Sequence, residues 1–191
     1  MSTPYENTKE DSEQNLANGL RRGDTTAVAR FYTMHAPYLA GVCSRYVASP
    51  DDTKDVFHDA MVKIMQHAGE FSYRGPGSLR SWATRIVANE AVNFLRARRK
   101  TDFASLDNMP DTPDEPTPDV TEITPEEIHS LIRKLPDGYR TVFNLYAIEG
   151  KSHREIANML GIKEASSASQ YHRARNMLAH MIHEYRQQRQ Q

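Results

Sequence analysis

The segment that most constrains this chain runs from Ser152 to Leu178, where two short helical patterns meet at a single glycine. Ser152 and Glu155 have the Ser-x-x-Glu spacing of a capping box, which predicts that a helix begins there. Gly161 follows the apolar residues of that helix and suits a left-handed carboxyl-terminal cap. A second helical pattern starts at Glu164. Two helices joined by so tight a turn are typical of a helix-turn-helix, whose second helix enters the DNA major groove.

The second helix of this pair carries polar side chains where a buried helix would carry apolar ones. We predict that Tyr171, Ala174 and Leu178 face inward. The polar groups left on or beside the outer face suit phosphate oxygens and base edges. They belong to Ser166, Ser169, Gln170, His172, Arg173 and Arg175. The alternative interpretation is an ordinary helical hairpin with a solvated face.

Helical signals extend along nearly the whole chain, and no segment is convincing as a strand. We predict an all-α protein with two small helical domains joined by an acidic, Pro-rich linker. Side chains suited to N-caps predict helix starts at Asp24, Ser49, Ser78 and Thr124. Pro37 is expected to start or kink a helix, and the glycines and proline of "YRGPG" (73–77) to interrupt one. The predicted parts are a disordered tail (1–15), a helical domain (16–100), the linker (101–124), a helix-turn-helix domain (125–183) and a C-terminal tail (184–191).

Charge is unevenly distributed along the chain, although the net charge is only −1. The segment "RARRK" (96–100) ends a basic helix, and nine Asp and Glu residues lie between Lys100 and Arg133. Basic surfaces on either side of an acidic linker favour a nucleic-acid partner.

Composition also excludes several classes of protein. Cys43 is the only cysteine, which excludes an internal disulfide and a cysteine-rich zinc site. No apolar run approaches the roughly 18 residues of a membrane span, so no membrane insertion is expected. The first residues are polar and acidic, unlike a signal peptide, and lead us to expect a cytoplasmic protein.

Two segments together resemble a known family. "LPDGYRTVFNLYAIEGKSHREIANMLGIKEASSASQYHRARNML" (135–178) resembles region four of bacterial sigma factors. "DDTKDVFHDAMVKIM" (51–65) and "FSYRGPGSLRSWATRIVANEAVNFLRARR" (71–99) resemble region two. Both regions in this order, with a short linker, are similar to the extracytoplasmic-function class.

The resemblance implies a promoter-specificity subunit of RNA polymerase, with no enzymatic activity and no cofactor. It implies that Asp55, His58 and Asp59 bind the clamp of the largest polymerase subunit, and that the C-terminal domain binds the flap of the second-largest. Promoter DNA and an anti-sigma factor or other recruiting regulator are the further partners. The implied contacts to the single-stranded −10 element are Arg74, Ser78, Arg80, Trp82, Arg85, Asn89, Arg96, Arg98 and Arg99; the −35 contacts are the six polar residues named above.

Several alternatives stay open at this point. Trp82 is either a core residue or a stacking platform for a base. A conventional helix-turn-helix regulator would use the C-terminal domain alone. A metal-dependent hydrolase would use Asp55, His58 and Asp59 as ligands, with His67 as a further candidate. Ala165, Ser166 and Ala168 replace residues that the family commonly uses in its recognition helix, which predicts weaker autonomous −35 binding or recruitment by a partner.

Overall fold

A computed structural model describes residues 4–98, 116–118 and 120–189, and its regular secondary structure within them is helical throughout. The predicted all-α fold is thereby confirmed for the described residues. We number the eight α-helices of these residues in chain order: α1 (Pro4–Arg21), α2 (Thr25–Tyr46), α3 (Pro50–Gln66), α4 (Ser78–Arg98), α5 (Pro125–Arg133), α6 (Asp137–Phe143), α7 (His153–Leu160) and α8 (Glu164–Arg189).

The chain forms two compact units. The first comprises Met1–Ser44 and Ser49–Ala91, and the second Arg45–Ala48 and Val92–Gln191. The end of α2 and the last turns of α4 therefore group with the second unit. Most of the predicted linker, together with Arg99, lies outside the described residues.

The first unit is built around the apolar faces of α1 to α4. Leu16 and Leu20 of α1, Phe31 and Leu39 of α2, and Ile64 of α3 are all buried. A Cβ on Gly19 would lie only 2.5 Å from the Ala27 methyl, so glycine allows α1 and α2 to approach closely. The prediction of a disordered tail at residues 1–15 is wrong from Pro4 onward, because α1 begins at that residue.

The helix starts of the first unit follow local side chains in two of three cases. Asp24 accepts a hydrogen bond from the Thr26 amide at 2.8 Å, and Ser49 accepts one from the Asp52 amide at 3.3 Å. The predicted cap by Ser78 is wrong, since its hydroxyl accepts from the preceding Arg74 amide instead, at 3.2 Å. Pro37 lies inside α2, which continues through it.

The second unit begins its helical part with a capping box in which Thr124 and Glu127 bond each other's backbone amides. α6 continues as a π-helical turn, Asn144–Ile148. The α8 helix extends to Arg189, so the predicted C-terminal tail (184–191) is helical over its described residues. That extension is held to α5 because the Tyr185 hydroxyl bonds Glu127 and Arg189 pairs with the same carboxylate at 3.2 Å.

Arg140 lies in the core of the second unit, with only 1% of its surface exposed. Its guanidinium donates to the carbonyl oxygens of Arg133 and Leu135 at 3.0 and 2.9 Å and to Tyr46 O at 2.8 and 3.0 Å, and it bonds the Asp137 carboxylate. The buried charge is thus compensated by hydrogen bonds, as burial requires.

Candidate nucleic-acid interface

A cavity of about 230 Å³ lies in the first unit, where the segment after α3 meets the start of α4. The Trp82 ring is half-buried and packs obliquely on Phe71, with ring centroids 5.3 Å apart. Trp82 is therefore partly a packing residue and partly a wall of the cavity. Aromatic and cationic walls suit a flipped base and its phosphates. The lining residues are Glu70, Phe71, Ser72, Arg74, Ser78, Ser81, Trp82 and Arg85.

The backbone of the loop between Phe71 and α4 depends on two glycines. Gly75 and Gly77 have φ values of 107° and 82°, which are accessible to glycine and strained for other residues. A Cβ at either position would meet open space, so the conformation rather than crowding requires glycine. These turns bring Arg74 beside Ser78 at the mouth of the cavity.

The remaining −10 candidates of α4 do not line this cavity. Arg80 is exposed and its guanidinium sits 5.3 Å from the centre of the Tyr38 ring, while Asn89 is exposed. Arg96 donates to the carbonyl oxygen of Met159 at 3.3 Å, and the Arg98 guanidinium lies 5.6 Å from the Phe94 ring centre. Ser78, Arg74, Trp82 and Arg85 are thus the candidates that the structure brings together.

α1 contributes two residues that sequence reasoning missed. The Glu13 carboxylate accepts hydrogen bonds from the Gly77 and Leu79 amides at 2.6 and 2.7 Å, and it therefore caps α4. Arg21 donates to the carbonyl oxygen of Phe71. No local sequence pattern predicts these bonds, because the donor and the acceptor of each lie 50 or more residues apart in sequence.

His35 lies near the start of α4 and lines a second cavity with Glu13 and Arg80. Burial lowers its pKa from the usual value of 6.5; the nearby Glu13 carboxylate opposes this shift, and Arg80 adds to it. Burial thus disfavours the charged form of His35 relative to an exposed histidine.

The candidate polymerase-binding face lies on α3. Asp55, His58 and Asp59 are all exposed, while Phe57 and Ile64 on the other side of the helix are buried. Their spacing places the three polar residues on one surface. Among the described residues, no group of three or more His, Cys, Asp or Glu side chains is arranged to hold a metal ion, and His67 instead pairs with Glu70 at 2.9 Å.

The helix-turn-helix of the second unit has the predicted caps. Ser152 accepts from the Glu155 amide at 3.3 Å, and Glu155 accepts from the Ser152 amide at 2.8 Å. These bonds from Ser152 lower the pKa of Glu155. Gly161 ends α7 with φ 69° and ψ 35°, the left-handed conformation. The turn into α8 is therefore built as the sequence predicted.

The expected outer face of α8 is wrong for three of its six residues. Ser166, Gln170 and Arg173 are buried. Ser167, Gln170 and Ala174 are buried at the spacing of one helix face. Because α8 packs against both α6 and α7, its buried face includes more residues than the predicted Tyr171, Ala174 and Leu178. Ser169 and His172 are half-buried, and Arg175 is exposed.

An aromatic cluster joins the helices around the turn. Tyr146 stacks on His153 with ring centroids 4.4 Å apart, and it contacts Tyr171 at the same distance. His153 Nδ1 lies 3.0 Å from the Ser167 hydroxyl, which links the start of α7 to α8. These contacts connect the π-helical turn, the start of α7 and α8.

Comparison with known proteins gives the family. The model for Sigma-70 region 2 matches residues 31–101, and the model for Sigma-70, region 4 matches residues 125–178. The ECF RNA polymerase sigma-E factor of Haemophilus influenzae is 27% identical over 184 residues, covering 90% of this chain and 95% of the relative. The RNA polymerase sigma-H factor of Pseudomonas aeruginosa is 26% identical over 183 residues, covering 88% and 93%.

A solved structure, that of CnrH in complex with the cytosolic domain of CnrY, is similar with a TM-score of 0.50 and 25% identity, covering 91% of this chain and 99% of CnrH. The chain belongs to the sigma-70 family, in its extracytoplasmic-function class. It is a transcription initiation factor that works with RNA polymerase, and not an enzyme. The described residues include no helix long and apolar enough to cross a bilayer.

Proposed function

We propose that this sigma factor captures the single-stranded −10 element in the cavity between Phe71 and α4. The observation that carries the proposal is the half-buried Trp82, which packs against Phe71 and lines a cavity that also holds Arg74 and Arg85. A base that leaves the duplex would stack on the aromatic wall while the guanidiniums neutralise its flanking phosphates. The glycine turns at Gly75 and Gly77 leave the loop backbone accessible to the strand.

Three further contacts belong to the proposal, and two of them use exposed helix faces. Asp55, His58 and Asp59 of α3 would bind the clamp of the largest polymerase subunit, supported by their common exposed face. α8 would read the −35 element through Ser169, His172 and Arg175, the candidates that are not buried. The second unit would bind the flap of the second-largest subunit.

An anti-sigma factor is a further proposed partner, supported by the solved complex of CnrH with the cytosolic domain of CnrY. We propose the cytoplasm as the site of action, because promoter DNA and RNA polymerase are there.

Holoenzyme carrying Trp82→Ala tests the −10 assignment on two templates from a promoter mapped with the wild-type protein. On duplex DNA, the variant should bind initially as the wild type does and open a smaller fraction of complexes. A template with a pre-opened −10 element should not rescue it, because a lost stacking contact weakens capture of the strand by about 1–3 kcal/mol.

Arg175→Ala is the matched variant in the other unit. It should weaken initial binding to duplex DNA, and raising the holoenzyme concentration should restore opening. If both variants fail at the same step, the proposed division between the two units is wrong.

A further inference from the structure

α1 contacts the −10 loop at both of its ends. Before the loop, Arg21 donates to the carbonyl oxygen of Phe71. After the loop, Glu13 accepts hydrogen bonds from the amides of Gly77 and Leu79 at 2.6 and 2.7 Å. The segment that these contacts enclose, residues 72–77, contains no helix or strand of its own.

The contacts replace restraints that the loop lacks. The first amides of a helix have no hydrogen-bond acceptor within the helix. The Ser78 hydroxyl does not cap α4, because it accepts from the preceding Arg74 amide. The Glu13 carboxylate accepts from the Leu79 amide in the first turn of α4 and from the Gly77 amide just before it. These are charge-assisted bonds, which the positive end of the α4 dipole strengthens. Without Glu13, the start of α4 and the two glycines with positive φ would lose this restraint.

Both contacts come from one rigid support. Glu13 and Arg21 are eight residues apart, which spans roughly 12 Å along a helix. Between them, Leu16, Ala17 and Leu20 are buried in the core of the first unit. The carboxylate and the guanidinium therefore hold the two loop ends at a fixed separation.

We propose that Glu13 and Arg21 are positioning residues for capture of the −10 strand, which act by holding the loop and the start of α4 in the binding shape. This inference rests on the proposed function of the cavity. It assigns a role to α1, which precedes the residues matched by the Sigma-70 region 2 model. Neither residue lines the cavity itself, so neither is expected to contact the base.

The test uses holoenzymes with Glu13→Gln, Glu13→Ala or Arg21→Ala. The matched controls are Gln14→Ala and Arg22→Ala, exposed neighbours of the two residues, the first in α1 and the second directly after it. The probe is a promoter fragment that is duplex at the −35 element and single-stranded at the −10 element, from a promoter mapped with wild-type holoenzyme. Its affinity is measured beside the affinity of each variant for core polymerase.

The expected result is a split between the two affinities. Glu13→Ala and Arg21→Ala should bind core polymerase as the wild type does, and should bind the probe roughly tenfold more weakly, the effect of losing a charged hydrogen-bond partner. Glu13→Gln keeps one acceptor oxygen and should fall between. Both control variants should match the wild type in both measurements.

Intrinsic fluorescence gives an independent readout in the free full-length protein, where Trp82 is the only tryptophan. Emission should shift to longer wavelength in the Glu13 and Arg21 variants, because α4 no longer holds Trp82 against Phe71. The controls should leave emission unchanged.

Three outcomes decide the matter. Normal probe binding by the Glu13 and Arg21 variants, with only a lower melting temperature, would overturn the inference and leave α1 a purely stabilising helix. The reference variant Arg85→Ala, which changes a residue of the cavity, distinguishes failure of this inference from failure of the proposed function. If Arg85→Ala also binds the probe normally, the cavity is not the capture site. Equal loss of core and probe binding would overturn the inference too, since it indicates general damage to the first unit.

Discussion

Alanine should change the stability of the protein in opposite directions at Gly161 and at Gly41. Gly161 has φ 69° and a Cβ there would meet open space, so any cost of substitution comes from the backbone alone. Gly41 lies inside α2, also with open space around it. Gly161→Ala should therefore destabilise by about 1–2 kcal/mol, whereas Gly41→Ala should stabilise by about 0.5–1 kcal/mol. Thermal unfolding of the two variants measures both signs, and a loss of stability at both positions would contradict the argument.

Arg140 is a buried charge whose removal would take away several buried hydrogen bonds. The carbonyl oxygens of Leu135 and Arg133 and the Asp137 carboxylate all accept from its guanidinium. Arg140→Met should cost at least about 3 kcal/mol, and Arg140→Lys should recover little, because one ammonium lacks the fork of donors.

Exposed Arg154 on α7 is the matched control for Arg140. Arg154→Met should change stability by less than about 0.5 kcal/mol. Denaturant unfolding followed by circular dichroism compares the variants. Equal midpoints for Arg140→Met and Arg154→Met would show that the buried network is dispensable.

At the residue scale, features that depend on near neighbours were predictable from the sequence. The Ser152–Glu155 capping box and the left-handed Gly161 each involve residues within one turn. The burial of Gln170 and Arg173 was not predictable, because their polar side chains gave no hydrophobic signal and the width of the inward face depends on tertiary packing.

At the scale of one element, α3 separates a packed face from a charged one. Phe57 and Ile64 hold the helix in the core, so exposed Asp55 and Asp59 are free to change without unfolding it. Asp55→Arg with Asp59→Arg should abolish binding to core polymerase by reversing the charge of that face. The melting temperature of the free protein serves as the control for folding. A double variant that assembles holoenzyme at normal affinity would exclude α3 as the clamp-binding face.

Elements differ in how far their sequence predicts them. α3 and α5 begin directly after Ser49 and Thr124, because these local caps and the prolines that follow them set the helix starts. The part of α1 before Leu16 and the end of α8 were predicted as tails, since both are polar and their order comes from contacts distant in sequence. Glu13 with α4 and Tyr185 with Glu127 are the bonds concerned. A single-sequence pattern carries no information on such pairs.

Across the whole molecule, each unit holds one partly buried histidine with a lowered pKa. Burial is the main cause for both His35 in the first unit and His129 in the second. Arg80 adds to the shift at His35, which Glu13 opposes, and Arg133 and Arg45 add to it at His129. Because each folded-state pKa lies below the usual 6.5, these histidines take up protons at a higher pH in the unfolded chain than in the folded protein.

Both units should therefore lose stability on acidification from neutral pH, beginning where the unfolded histidines titrate. The contribution is fully present above the unfolded pKa and is lost as the pH falls through 6.5 towards the lowered folded-state pKa values. A second loss of stability should follow below pH 4.5, where Glu127 and Glu155, whose pKa values are lowered by hydrogen bonds, become protonated.

Melting temperatures of the wild type, His35→Gln and His129→Gln, measured between neutral pH and pH 5, test the first of these two losses. Each single variant should flatten the dependence in part and the double variant further. An undiminished slope in the double variant would assign the acid sensitivity to other groups.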